Sequence, residues 1–573
     1  MEIVDLIARG ELKRADDLLL NESGYLARCR RAIVGVLRLV YSGDRNLADE
    51  SIERLDGAID ECSKAEPGLK SEYTSLSEKR RSFFQVISLQ AKFSHPWCDG
   101  TESNAGEVLG TWRDVVGMQS LMYLLKGFAQ FGKHAYVKGA LSLRSGWLLC
   151  RHVGNTPVEG CGDHTARMVK GIYLFALSNM PPFLQTVFKV IGFESDRELG
   201  LEMLRSCSEE GVEYEARTFS TIFVALHHLL MSQQEYKQDI KEHMNKAEDV
   251  IESELARDPE SMLARLVKSH VIRRQGQTEH AMVIIDSITP QIVSEIEAIG
   301  RDDVHAYRIM YDRAVLHFVT SSYDQAINLL EPLVNDESTF GAKVLATGVA
   351  SACYALNDPP DHMRSVELIE KMGDSGTLGQ MDRSILLKKT TVLERESKHL
   401  LGYELLYIFG HFKCYSPVFA EGDQRELCLN VLSSKLVEIQ KIGAVLGDVE
   451  SFDASTLVDE EVQVQLEEKI ACLLLSGGIL ALMGDLEPAK KSLDDLLFLY
   501  ANHEIKHFLR KQKDPYAPPW AMYELAAVHL RKGEKELAKK LLQKAQSLCQ
   551  NTKNPFSFSH MLNYKCAGAL REC

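Results

Sequence analysis

Small and apolar residues along this chain recur at helical spacing, and the spacing breaks at regular places. The clearest case is Met522 to Ala545, where Met522, Leu525, Ala526 and His529 mark one helix face. Gly533 follows as a turn, and Ala538, Leu542 and Ala545 then stand at i, i+4 and i+7, a stripe that predicts a second helix. Two antiparallel helices approach closely only where neither side chain is bulky, and Leu542 is placed to fill the groove beside such a crossing.

The layout recurs upstream as a small residue, another twelve later, and an aliphatic residue four beyond that. Gly477, Ala489 and Leu493 have it with Gly484 at the turn; Ala314, Ala326 and Leu330 have it with Ser321. Ser269, Ala281 and Ile285 have it with Gly276, and looser copies are Cys353, Ser365, Ile369 and Gly127, Gly139, Leu143. The triplet alone recurs by chance, so Gly or Ser at one turn offset is what makes it a repeat. Ile3, Ala15 and Leu19 would complete a unit whose first helix is mostly missing, as if the chain began inside a repeat. The fold class predicted is all-α: a tetratricopeptide-like helix-turn-helix solenoid. Its insertions are irregular, because Ala314 to Cys353 spans 39 positions and Gly477 to Ala526 spans 49, against about 34 in a regular array. Loops are expected at His95–Gly110, Asn155–His164, Gly373–Asp382 and Gly447–Ser455. The expected organisation is an N-terminal region of divergent repeats, residues 1–240, continuous with a C-terminal repeat region, residues 241–573.

Composition agrees with folded helix: 45% hydrophobic, 26% charged and only 16 prolines, an ordinary globular balance. The net charge of −15 argues against nucleic acid as a main partner, since phosphate neutralisation needs clustered Lys and Arg. The thirteen scattered cysteines form no CxxC pair and read as free thiols of a reducing compartment. No signal peptide or transmembrane run is recognised, so the expected address is cytoplasmic, with a peripheral place on an organelle surface as the variant.

Three motifs resemble the tetratricopeptide repeat protein 39 family, the group that also holds the inclusion-body-clearance proteins. The first is Ser178-Asn-Met-Pro-Pro-Phe-Leu followed by Gly192-Phe-Glu-Ser-Asp-Arg-Glu-Leu-Gly200, with Pro181, Pro182, Gly192, Phe193, Asp196, Arg197, Glu198 and Gly200 as its signature. The second is Asp514-Pro-Tyr-Ala-Pro-Pro-Trp-Ala-Met-Tyr-Glu-Leu-Ala526, and the third is Val137 to Trp147. The resemblance implies an all-α repeat protein without known catalytic residues. It does not imply one biochemical role.

Several constellations need weighing. Gly127 to His134 approaches a phosphate-binding loop, but His134 stands where that motif needs Ser or Thr, and Met118–Phe128 reads as helix where a strand should lead in. A helix–turn–helix join is expected there. Cys150, His152, Cys161 and His164 offer four zinc-compatible ligands, but their spacing matches no common finger. No metal or cofactor is therefore assigned. His227 and His228 are adjacent in an apolar helix, so one is expected buried and the other exposed. Gly171 to Phe193 is very apolar and is broken by Pro181 and Pro182; it reads as a buried hairpin, with an interfacial wedge as its rival.

No catalytic motif is recognised. The expectation is a non-catalytic scaffold or adaptor that binds other proteins in a helical-repeat groove. The alternatives are a protein peripheral to an organelle or lipid surface, of mitochondrial outer-membrane or lipid-droplet type, and an enzyme. A clamp for acidic C-terminal tails is not expected. Lys268, Arg273 and Arg274 lie on one helix, while the next offers Tyr307, Met310, Tyr311 and His317, and a carboxylate needs several converging donors.

Overall fold

A computed structural model describes residues 2–84, 104–133, 135–151, 164–178, 192–210, 214–232, 239–300, 305–335, 337–372, 380–395, 400–447, 459–502, 514–551 and 556–573, together with the single positions 189, 234, 397, 452, 505 and 506. The chain is all-helical, with no strand among the described residues. Helices pack mainly on their neighbours in sequence. Examples are Asn104–Gly132 on Tyr136–Cys150, Glu460–Met483 on Leu486–Ala501, and Ala517–Arg531 on Lys535–Cys549. That pattern of local pairing is how a helical solenoid grows.

The repeat turns share one mechanism. Gly276, Ser321, Gly484 and Gly533 all have positive φ, at 85°, 62°, 97° and 78°. In each, the next residue's N–H reaches back to the fifth carbonyl before it. Gln277 donates to Ile272 (3.2 Å), Ser322 to His317 (2.8 Å), Asp485 to Leu480 (3.0 Å) and Glu534 to His529 (2.9 Å). This is the left-handed helix stop, which glycine adopts without a Cβ penalty and which satisfies an orphan carbonyl. The same turn joins Glu2–Arg9 to Leu12–Leu20, where Gly10 has φ 73° and Glu11 donates to Leu6 (2.9 Å).

Small residues then set the crossings. A Cβ built on Gly477 would lie 2.7 Å from the Leu493 side chain; one on Gly139 would lie 3.0 Å from the Gly127 carbonyl. Ala314, Ala326, Leu330, Ala489, Leu493, Ala526, Ala538 and Leu542 are all buried. The join after Gly127 is a helix end: Asn104–Gly132 stops and Tyr136–Cys150 starts, with Ala135 donating to Gln130 at 2.9 Å. Two expected loops are shorter than read. Helix already begins at Asn104 and at Gln380, so Gly106 and Gly110 lie inside a helix.

The chain divides into two compact units: Met1–His228 with Lys246–Val267 and Ser287–Arg308, and Leu229–Asn245 with Lys268–Asp286 and Ile309–Cys573. The division expected at residues 240 and 241 falls at the first turn of the helix Ile240–Arg257. In the first unit Ile222, Ala225, Ile251 and Val267 form one core cluster. In the second, Ile272, Ala281, Ile285 and Leu316 form another. No described helix is long and apolar enough to cross a membrane.

Candidate functional site

In the first unit the signature residues build a joint. Gly192, at φ 90°, ends a turn whose carbonyl accepts from Trp147 Nε1 at 2.8 Å. Phe193 stacks on Trp147 with ring centroids 5.8 Å apart, and Tyr173 closes edge-on to the same indole, also at 5.8 Å. The Tyr173 hydroxyl donates to the Leu143 carbonyl at 2.8 Å. Offset and edge-to-face rings favour such a trio beyond its area alone. Asp196 accepts from the Leu199 N–H at 3.1 Å, an N-terminal cap. Arg197 and Glu198 open the helix Arg197–Glu210 behind it. Gly200 meets Gly171, and a Cβ on Gly200 would stand 2.7 Å from the Phe175 nitrogen and 2.9 Å from the Gly171 carbonyl. Two helices touch backbone to backbone there. Pro181 and Pro182 lie outside the described residues, as does most of the Gly171–Phe193 segment; its described start, from Gly171 to Leu177, is nearly all buried.

In the second unit the motif from Asp514 leads into a buried ion network. Glu404 accepts a forked pair from Arg395, at 2.8 and 3.2 Å, and a hydrogen bond from the Tyr516 hydroxyl. Lys388 Nζ stands 3.3 Å from both Glu404 and Asp514, and 3.3 Å above the Tyr516 ring. Asp514 accepts from the Ser557 N–H and hydroxyl, at 2.6 and 2.8 Å. Glu468 accepts from the Ser397 N–H at 2.6 Å. Lys388, Arg395, Glu404, Glu468 and Asp514 are all buried. Burial pushes the Glu404 carboxyl up, but Arg395 and Lys388 beside it outweigh that and hold it down at about 2. Desolvated charges persist only when paired and hydrogen-bonded in this way. With every residue of the helix Leu400–Ile408 buried, the network is a clasp between helices. Sequence reading found Asp514 and Tyr516 but missed Lys388, Arg395 and Glu404. The one available signal was a lone Glu inside Leu400-Leu-Gly-Tyr-Glu-Leu-Leu-Tyr-Ile408.

Other expected sites resolve differently. Cys150 is buried and its Sγ faces the Trp147 carbonyl at 3.7 Å. Burial pushes its thiol up to about 12. His164 begins the helix His164–Ser178, while His152 and Cys161 lie outside the described residues. His227 and His228 are both buried, at 2% exposure each, so the expectation that one is exposed is corrected. Adjacent helical positions diverge by about 100°, but the helix Tyr214–Met231 is covered around most of its circumference. His227 sits edge-on to Phe175, centroids 5.2 Å apart. Arg274, read as a groove donor, is buried and spends its guanidinium on the Ser232 carbonyl (3.1 Å) and the Lys413 carbonyl. Tyr307 is buried as well.

The second unit also holds an open cleft of about 350 Å³ among the helices Gly422–Val445, Glu460–Met483 and Leu486–Ala501. Gly443, Ala444, Leu473, Ser476, Leu480 and Pro488 give it small and apolar walls, with Lys491 and Asp495 among its polar lining. Lys469 also lines it but is engaged, donating to the Gly443 and Gly447 carbonyls at 2.8 and 2.6 Å, where it caps a helix C-terminus. No sequence motif marks the cleft. Small residues facing one another leave it unfilled, and which residues face is decided by helix packing.

Shared turns, small-residue crossings and neighbour-on-neighbour packing define an all-α helical-repeat protein of tetratricopeptide type. Within that class, residues 163–358 match the family model described as Iml2/Tetratricopeptide repeat protein 39, the family that the motifs resemble. The match takes in Gly192 to Gly200 and the repeats around Ser269 and Ala314, and ends before Asp514. A comparison with curated proteins gives no match.

Proposed function

We propose that the chain is a non-catalytic interaction scaffold that receives an extended segment of a partner protein in the cleft between Gly422–Val445, Glu460–Met483 and Leu486–Ala501. The observation that carries this reading is the cleft itself: about 350 Å³ of open space with apolar walls and polar groups in its lining. Concave faces between stacked helix pairs suit extended peptides, and proteins of tetratricopeptide type generally act through protein–protein contacts. Since Lys469 is committed to backbone carbonyls, the cleft lacks the converging donors that an acidic tail would require.

Ala444 is exposed, so Ala444→Trp fills the cleft without entering the core. Proximity labelling in cells should lose the same subset of neighbours with Ala444→Trp and with Lys491→Glu. An unchanged neighbour set with both variants rejects the cleft as the docking site. A peptide ending in Glu-Glu-Val-Asp should show no saturable binding by calorimetry at about 100 μM, where ordinary peptide affinities are visible.

A further inference from the structure

We propose that the outward face of the helix Tyr136–Cys150 is a docking surface for anionic membrane lipids, independent of the cleft. Val137, Leu141 and Leu148 are 76%, 59% and 38% exposed, high values for three aliphatic side chains on one helix. At about 100° per residue they fall within roughly 40° of one another, so they form one stripe. The opposite face carries Gly139, Ser142, Leu143, Gly146, Trp147 and Cys150, all buried. The stripe therefore cannot turn inward without undoing the Trp147 joint.

Charge says what covers it. Arg144 and Arg151 flank the stripe on one side and Lys138 on the other, all three exposed. Between Asp114 and Glu159 the sequence holds five basic residues and no acidic one, in a chain of net charge −15. Lys126 and Lys133 pair with Asp56 and Asp49, whereas Lys138 and Arg144 have no carboxylate partner among the described residues. An apolar stripe rimmed by long basic side chains lets the aliphatic groups enter the acyl boundary while the cations remain at the headgroups. Charge elsewhere on the acidic chain is screened beyond about 8 Å at physiological salt, so the local patch decides which surface it meets. A single row on one helix is a ridge, and a ridge enters a lipid interface more readily than it receives a peptide.

The test is flotation of the full chain with phosphatidylcholine vesicles, with and without phosphatidylserine. Recovery should require phosphatidylserine and fall as salt is raised. Each basic group near an anionic surface is worth about fivefold in binding, so reversing two by Lys138→Glu with Arg144→Glu should weaken it at least about twenty-fivefold. Val137→Ser with Leu141→Ser and Leu148→Ser should also abolish recovery, with unchanged far-ultraviolet dichroism showing that the fold is intact. No recovery of the wild-type chain, or equal recovery of all three proteins, overturns the proposal. So does saturable binding of an acidic amphipathic peptide to this face by a chain that ignores vesicles, which would make it a protein-docking surface.

Discussion

Replacing Glu404 by Gln removes one charge from a buried cluster and little volume. Among the described residues Lys388 would then keep only Asp514 as a carboxylate neighbour, and Arg395 would lose its forked partner. Uncompensated buried charge costs about 3–5 kcal/mol. The acid–base route gives a similar figure. The carboxyl sits at about 2 in the fold against an ordinary 4.5, and about 2.5 units at 1.36 kcal/mol each is about 3 kcal/mol. At about 1.4 kcal/mol per tenfold, amides of the helix Ala517–Arg531 should exchange on the order of a hundredfold or more faster in Glu404→Gln, read by hydrogen-exchange mass spectrometry. The sign with pH follows from the lowered value: the carboxylate's contribution is complete above about 4.5 and is lost as pH falls toward 2. The wild-type advantage in thermal unfolding should therefore shrink across that window and stay flat above it. Replacing Arg395 and Glu404 together by Met and Leu should recover much of the loss, since Lys388 keeps its Asp514 partner and the forked pair is removed whole. Exchange within threefold of wild type in Glu404→Gln would show that the clasp does not hold these helices.

Trp147→Ala should destabilise the first unit by about 3–5 kcal/mol, while Trp147→Phe should cost about 1 kcal/mol for the lost bond to the Gly192 carbonyl, both read as exchange in the helix His164–Ser178. Gly200→Ala places a methyl 2.7 Å from the Phe175 nitrogen and should cost about 1–3 kcal/mol by forcing two helices apart; unchanged protection would refute a rigid crossing.

The amino-acid sequence determined the parts of this protein that are local. Gly276, Ser321, Gly484 and Gly533 were legible as turns because a left-handed stop is a property of a few consecutive residues, and the small residues seven positions before and five after belong to the same hairpin. The groups that meet across long separations were not legible. Asp514 stands more than a hundred positions from Lys388 and Glu404, and Lys388 and Asp514 resemble solvated charges until packing encloses them. Trp147 and Phe193 each read as apolar residues within separate motifs, and only the turn at Gly192 brings their rings together. His227 and His228 were divided between inside and outside by helical geometry, and neighbouring helices then covered both. The cleft is space left between small side chains on three helices, and the face at Val137, Leu141 and Leu148 is apolar surface that no described neighbour fully covers. Burial is a relation between elements, so a one-dimensional pattern can show which residues suit a helix, while tertiary packing decides which of its faces remain open.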